Sequence, residues 1–412
     1  MIRHASTLFT GTLFGQLLPL AVAPLITRFV SPAEFGIFAL LLTLVGLGSY
    51  ACGGRYEAAI VVPADDAEAS SLLRLVLAIN AVFFGITLTG LAAALILAPA
   101  HEMFGPVWLS LPFMILANGL INAWEGWGNR HEAYRGIAVS RTTRGIGVAL
   151  CQIGLLAASV PPLLALVIGQ CLGMLSGFLA GTSRNQSFFA ALALPWTYRD
   201  LRDVAGKYAH YPRYNTIHGL IHAAQAPLTL VIISAYCTPL WVGAFGLVQR
   251  ILQAPSGLVG TAVAPVLLRE LVKPADAHTR QRTVLRVIAG LSIVAAPLFI
   301  VVAVWAPELF GRIFGESWHD AGVLAQNYWG YLLLSFVAAP LAVVSQAARR
   351  MDTAMVVSII GNALYLGTLW ATLTYDGSLP QSLRWLSIVM AIYFVLYLAW
   401  LVRIARFDTH RD

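Results

Sequence analysis

Two arginines stand inside long apolar runs of this chain: Arg55 in the run 36–62 and Arg250 in the run 240–264. A guanidinium stays charged and forks onto phosphate or carboxylate oxygens. Facing lipid near mid-membrane it is costly, so it should face the protein interior or water. Arg250 lies about 15 Å along its run at the helical rise. It reads either as an anion-binding group or as a structural residue bonding carbonyls or an acid. Arg55 lies about 28 Å along its run, near the inner end, with Glu57 two residues on. Residues i and i+2 point to different faces of a helix, so no bond between them is expected. One reading is an inner gate or phosphate way in, with Glu57 as a proton or cation site. The other is a snorkelling helix end.

Further polar groups sit in or beside apolar runs. Arg213, His218 and His222 enter the seventh run from the inside. The two histidines share a helix face at i, i+4. A metal would need a third ligand, and none is evident. A proton-responsive or ligand-bonding role and a buried, satisfied role both stay open. Arg28 closes the first run on the outer side, to receive phosphate or to snorkel. Asn80, Asn118 and Gln225 could bond the hydroxyls of a polar ligand; such amides, with Asn122, Gln152 and Asn362, also join helices to one another. Arg141 and Arg144 read mainly as inner-side anchors. Trp124, Trp127, Trp241, Trp305 and Trp318 read as interfacial anchors.

Such groups need rigid elements, and the composition says which. Of 412 residues, 58% are hydrophobic and 11% charged, with a mean hydropathy of +0.76. A soluble domain carries about 25% charged residues. An ordinary cytosolic enzyme, a disordered chain and a secreted disulfide scaffold are excluded; a polytopic membrane protein remains. The four cysteines are scattered and read as small core residues. Twelve apolar runs are expected as helices: 8–27, 36–62, 71–97, 107–127, 138–159, 162–182, 213–236, 240–264, 284–305, 322–346, 354–374 and 383–403.

With the N-terminus inside, 21 of the 26 Lys and Arg fall in inner loops and 3 in outer loops. This positive-inside pattern predicts an even number of spans with both termini cytoplasmic. The net charge of +7 then reflects topology, and no nucleic-acid partner is implied. The expected division is an N-terminal six-helix lobe (1–190), a cytoplasmic connector (191–212) and a C-terminal six-helix lobe (213–412). The halves echo each other. Ser31-Pro32-Ala33-Glu34-Phe35-Gly36 resembles Thr238-Pro239-Leu240-Trp241-Val242-Gly243, and Glu102-Met103-Phe104-Gly105 resembles Glu308-Leu309-Phe310-Gly311, at nearly one offset. Both pairs are expected in outer loops. Parallel repeats would produce this, as in one class of transporter.

The stretches PLITRFVSPAEFGIFALLLTLVGLGS (24–49), GRYEAAIVVPADDAEA (54–69), GNRHEAYR (128–135) and ELFGRIFGESWHDAGVLAQ (308–326) resemble bacterial polysaccharide transporters. These are the Wzx-type lipid-linked oligosaccharide flippases of the multidrug/oligosaccharidyl-lipid/polysaccharide exporter superfamily. The resemblance implies an all-α, polytopic membrane protein of about 12 transmembrane helices, in two six-helix lobes around a central cavity. It implies translocation of an undecaprenyl-diphosphate-linked oligosaccharide from the inner to the outer leaflet by alternating access. Proton or sodium coupling would accompany this, with no bound cofactor. The setting would be O-antigen, lipopolysaccharide or exopolysaccharide assembly in the bacterial inner membrane. The bilayer, a polysaccharide polymerase and chain-length machinery are the expected partners. The alternatives are a cation-coupled multidrug exporter, which wants carboxylates mid-membrane, a lipid II flippase, which typically has two further spans, and a membrane-embedded polymerase or acyltransferase.

Overall fold

Lipid leaves a backbone no partner but itself, and the chain answers with helices. The computed structural model describes residues 18–97, 105–183, 185–193, 197–212, 223–273 and 276–406. Nine of the described helical segments are long and apolar enough to cross a membrane, which makes this a multi-pass membrane protein. Three of the twelve expected runs are not among these nine. The first is helical over 18–26 (α1), its start lying outside the described residues. The fifth is a full-length helix, Tyr134–Ala157, diluted by Arg135, Arg141 and Arg144. The seventh is described only over its last half, as Gln225–Tyr236.

The described residues form two compact units: residues up to Val30 with Ile37–Pro227, and Ser31–Gly36 with Leu228 onward. In the first, α2 (Pro32–Ala51, from Ile37 on), α3 (Asp66–Leu97), α4 (Ser110–Arg130), α5 (Tyr134–Ala157) and α6 (Pro162–Thr182) are followed by two short helices, α7 (Gln186–Ala193) and α8 (Tyr198–Lys207). The α5–α6 pair is the most extensive. Gly169, Gly173 and Gly177 of α6 form a seam on which Gln152, Val148 and Arg144 of α5 rest directly. Both short helices cover α3. Phe188 and Ala191 of α7 and Leu201 and Val204 of α8 join a core with Leu72, Trp124 and Trp127. Trp124 and Trp127 are therefore buried rather than interfacial, because a polar-looking connector folds back over them. Trp318 is likewise buried, while Trp305 is exposed.

The second unit holds α9 (Gln225–Tyr236, from Leu228 on), α10 (Pro239–Leu252), α11 (Ala254–Val272), α12 (Ala277–Phe314), α13 (His319–Ala338), α14 (Val343–Ala347), α15 (Met351–Asp376) and α16 (Leu379–Ile404). Helix α13 is central, packed on α10, α12 and α16. The expected single helix over 240–264 is broken at Gln253. Pro255 has no N–H to offer the carbonyl of Ile251, so the ladder is interrupted there. In the opposite sense, Glu308-Leu309-Phe310-Gly311 is not in a loop but continues α12 to Phe314.

The echoing motifs meet within this unit. Ser31 and Glu34 form a capping box: Ser31 N–H donates to Glu34 Oε2 at 3.0 Å, and Glu34 N–H donates to Ser31 Oγ at 3.3 Å. Thr238 makes no side-chain cap, since Trp241 stands where the first motif has glutamate. Gly36 and Gly243 then lie against each other. A Cβ on Gly36 would sit 2.8 Å from the Gly243 nitrogen, and one on Gly243 would sit 1.6 Å from the Pro32 carbonyl oxygen. Gly243→Ala should therefore force the two helix starts apart and destabilise the protein by about 1–3 kcal/mol. Gly257→Ala, where nothing lies within 4 Å, should be neutral or slightly stabilising. Thermal unfolding of the detergent-purified variants checks both.

Candidate functional site

The arginines divide by what they bond. In the first unit, Arg74 donates from both Nε and a terminal nitrogen to the Ala191 carbonyl and ties α7 to α3. Arg130 grips Asp66 at 2.7 Å and the Pro63 carbonyl at 2.6 Å. Arg141 holds Glu125 bidentately, at 2.9 and 2.6 Å, so the acid late in α4 is neutralised by a residue that sequence alone read as an anchor. In the second unit, Arg280 is buried and donates to the Leu271 carbonyl. These groups join one element to the next. Arg55 and Arg250 make no such hydrogen bond among the described residues.

Arg55 owes its position to a turn that replaces the end of the expected helix. Helix α2 stops at Ala51; Gly54 takes φ 56° and Arg55 itself φ 60°, a left-handed pair that reverses the chain. A single 3-10 turn, Tyr56–Ala59, follows. Outside a helix the i, i+2 rule lapses, and Arg55 and Glu57 do approach, at 3.6 Å. This corrects the expectation that they point apart. The guanidinium also lies 5.3 Å from the centre of the Tyr50 ring. The turn is held from several sides: Tyr56 O–H donates to the Ala205 carbonyl at 3.0 Å, and Lys207 pairs with Glu68 beside it.

Glu57 is the unsatisfied member of this corner. Its residue is 8% exposed, and neither carboxylate oxygen has a hydrogen-bond partner. The Arg55 Nε is also buried without an acceptor. Burial holds the Glu57 carboxyl above its ordinary value, while the Arg55 charge acts in the opposite direction. Next to it, burial and then the Glu57 charge push the Cys52 thiol up to about 12, so it stays protonated and inert. The corner pairs a guanidinium with a buried carboxyl whose two oxygens are unbonded.

Arg250 sits one turn before the break at Gln253, in the last turn of α10. It is half-buried and pairs with no acid among the described residues. Its guanidinium carbon lies 5.9 Å from the centre of the Phe35 ring, and Phe35 packs edge-on against Trp318 at 5.4 Å. An aromatic face is a weak partner for a full charge. The guanidinium keeps its donors available, beside a helix whose ladder is open.

The remaining candidates scatter. Arg28 is exposed in the turn after α1. Arg213, His218 and His222 lie outside the described residues. Asn118 Nδ2 donates to Ser49 Oγ at 2.9 Å, joining α4 to α2, and Gln152 Nε2 donates to the Leu166 carbonyl at 3.0 Å, joining α5 to α6. Asn80 is buried against Gly119 with both amide atoms unbonded. Gln225 is half-buried at the start of α9. Sequence reasoning missed a tyrosine cluster in the second unit: the Tyr328 and Tyr365 hydroxyls share a hydrogen bond of 2.7 Å, and Tyr331 stacks on Tyr328. Tyr328 and Tyr331 occur on one helix at i, i+3, which was the available signal.

Residues 25–322 match the family described as polysaccharide biosynthesis protein. Among solved structures, the chain is similar to the lipid II flippase MurJ in an inward closed conformation, at 13% identity and a TM-score of 0.72, covering 96% of this chain and 87% of that one. It is similar to an inward-facing multidrug resistance transporter of the MATE family, of the MOP superfamily, at 14% identity and a TM-score of 0.62, covering 100% and 96%. A MOP-superfamily transporter from Pyrococcus furiosus aligns at 13% identity with a TM-score of 0.51, covering 98% and 95%. These likenesses establish a shared fold. No curated sequence matches the chain.

The Glu57 environment makes stability pH-dependent with a definite sign. A carboxyl whose folded value is raised contributes stability that is present below its ordinary value of 4.5 and is lost as pH rises through the folded value. Melting of the purified wild type should therefore shift upward as pH falls from neutrality toward that value. Glu57→Gln removes the titrating group and should flatten that part of the profile.

Proposed function

The chain belongs to the polysaccharide biosynthesis protein family, and from that membership we propose that it is a flippase for an undecaprenyl-diphosphate-linked oligosaccharide repeat. It moves the repeat from the inner to the outer leaflet of the bacterial inner membrane by alternating access. The likeness in fold to a lipid II flippase and to MATE transporters supports a transport role. The physical problem is a doubly anionic diphosphate crossing about 30 Å of hydrocarbon while its lipid tail stays in the bilayer. The observation that carries the reading is Arg250: a guanidinium within an apolar helical segment, without an acid partner among the described residues, next to a broken helix. Broken helices within a span are where transporters place ligand-binding groups.

In this reading Arg250 receives the diphosphate, and its planar fork orients two oxygens at once. Arg55 meets the same group near the inner face. Its partner Glu57 releases Arg55 to the cargo when it takes up a proton, which links transport to a proton gradient; sodium in place of the proton is the alternative. A multidrug exporter for cations fits less well. Arg250 repels a cation, and Glu125, late in α4, is already held by Arg141.

Arg250→Ala should abolish export of surface polysaccharide at unchanged protein level, whereas Arg250→Lys should retain part of it. Surface polysaccharide stained on intact cells, with an immunoblot for the transporter, reads both. Wild-type export from the alanine variant overturns the reading. The cytoplasmic placement of the termini has its own test. A membrane-impermeant thiol reagent should label a cysteine placed at Gly105 in intact cells and leave one at Asp200 unlabelled.

A further inference from the structure

A second basic site lies in the second unit, far along the chain from Arg250. Helices α15 and α16 form an antiparallel hairpin joined at Gly377. At its open end is a cleft of about 360 Å³ lined by Ala348, Arg350, Trp400, Arg403, Ile404 and Arg406. Arg349 adopts φ 51° just before α15, and this turn places Arg350 at the helix start. The free N–H groups of that first turn add to the positive potential. Arg406 is steadied by donating from Nε to Gln281 Oε1 at 2.9 Å. Arg350 and Arg403 are exposed and bond no acid or carbonyl among the described residues. Among the described residues no acid lines the cleft; Asp352 lies in the first turn of α15 and is not part of the wall.

The walls leading to the cleft are apolar. Leu396, one turn before Trp400, is 66% exposed, and Met351, next to Arg350, is 63% exposed. Tyr393, Tyr397 and Trp400 stack in succession along α16, ending at the cleft. Indole at a span end favours the head-group layer. Three guanidinium groups above an exposed apolar helix surface match an amphiphile better than a free anion: phosphate in the cleft, acyl chain along the helices.

We propose that this cleft binds the phosphate head of a resident anionic phospholipid of the membrane leaflet on the positively charged side. The chemistry is shared with any lipid phosphate, including the prenyl diphosphate of the cargo proposed above, so the test separates the two sources. The full-length protein is purified in detergent and examined by native mass spectrometry with phosphatidylglycerol, cardiolipin, phosphatidylcholine or a short-chain prenyl diphosphate.

Wild type should retain phosphatidylglycerol and cardiolipin over phosphatidylcholine. Each arginine near an anionic head contributes about fivefold. The double variant Arg350→Gln/Arg403→Gln should therefore lose anionic phospholipid by at least about tenfold, with phosphatidylcholine unchanged. Arg350→Lys/Arg403→Lys should retain most of it. If the double variant does not purify as a monodisperse species, Arg403→Gln alone should show about a fivefold loss. Equal retention of anionic phospholipid by the glutamine variants overturns the proposal. So does a loss confined to the prenyl diphosphate, which would assign the cleft to the cargo.

Discussion

Hydrocarbon does not solvate a guanidinium, and most of what is informative in this protein follows from that. A charge carried into an apolar segment must find acceptors, find water or be neutralised. Arg74, Arg130, Arg141 and Arg280 find acceptors, and in doing so they fasten connectors and helix ends to the bundle. Among the described residues, Arg250 finds an aromatic face and no acid. Arg55 finds a carboxylate at a distance too long for a hydrogen bond, itself buried and otherwise unbonded. The contrast separates residues whose donors are spent on the fold from two whose donors meet no such acceptor among the described residues.

Much of this was legible in the sequence, because hydropathy over about 20 residues is a strong signal in lipid. The nine spans coincide with nine of the expected runs, and the anomaly of Arg250 is visible from its position alone. What was not legible is where a run stops being a helix. Gly53-Gly54-Arg55 reads as apolar continuation until the left-handed angles at Gly54 and Arg55 are known. Pro255 lies inside the apolar run 240–264, yet its missing N–H opens the ladder next to Arg250. The tryptophans misled for another reason. Position near a span end suggests an interfacial anchor, but Trp124 and Trp127 are covered by α7, whose packing depends on contacts distant in sequence. Pairing is equally hidden: nothing local says that Glu125 belongs to Arg141.

The two units keep charge in different ways. In the first, charged residues beside the turn after α2 are drawn into a dense set of bonds around one unsatisfied carboxyl. In the second, the Tyr328 and Tyr365 hydroxyls bond each other in the interior, while Arg350, Arg403 and Arg406 line a cleft and Arg250 lies beside the helix break.

The contact of Gly36 with Gly243 has a consequence for how this chain can vary. The Pro32 carbonyl occupies the space where a methyl on Gly243 would stand, and the neighbouring glycine is blocked in turn by Gly243 and Pro239. Neither position can accept a side chain unless the opposite backbone retreats. The two echoing turns are thus coupled sterically: a change at either glycine displaces the backbone of the other, whereas Glu34 and Trp241 at matching places differ without touching that contact.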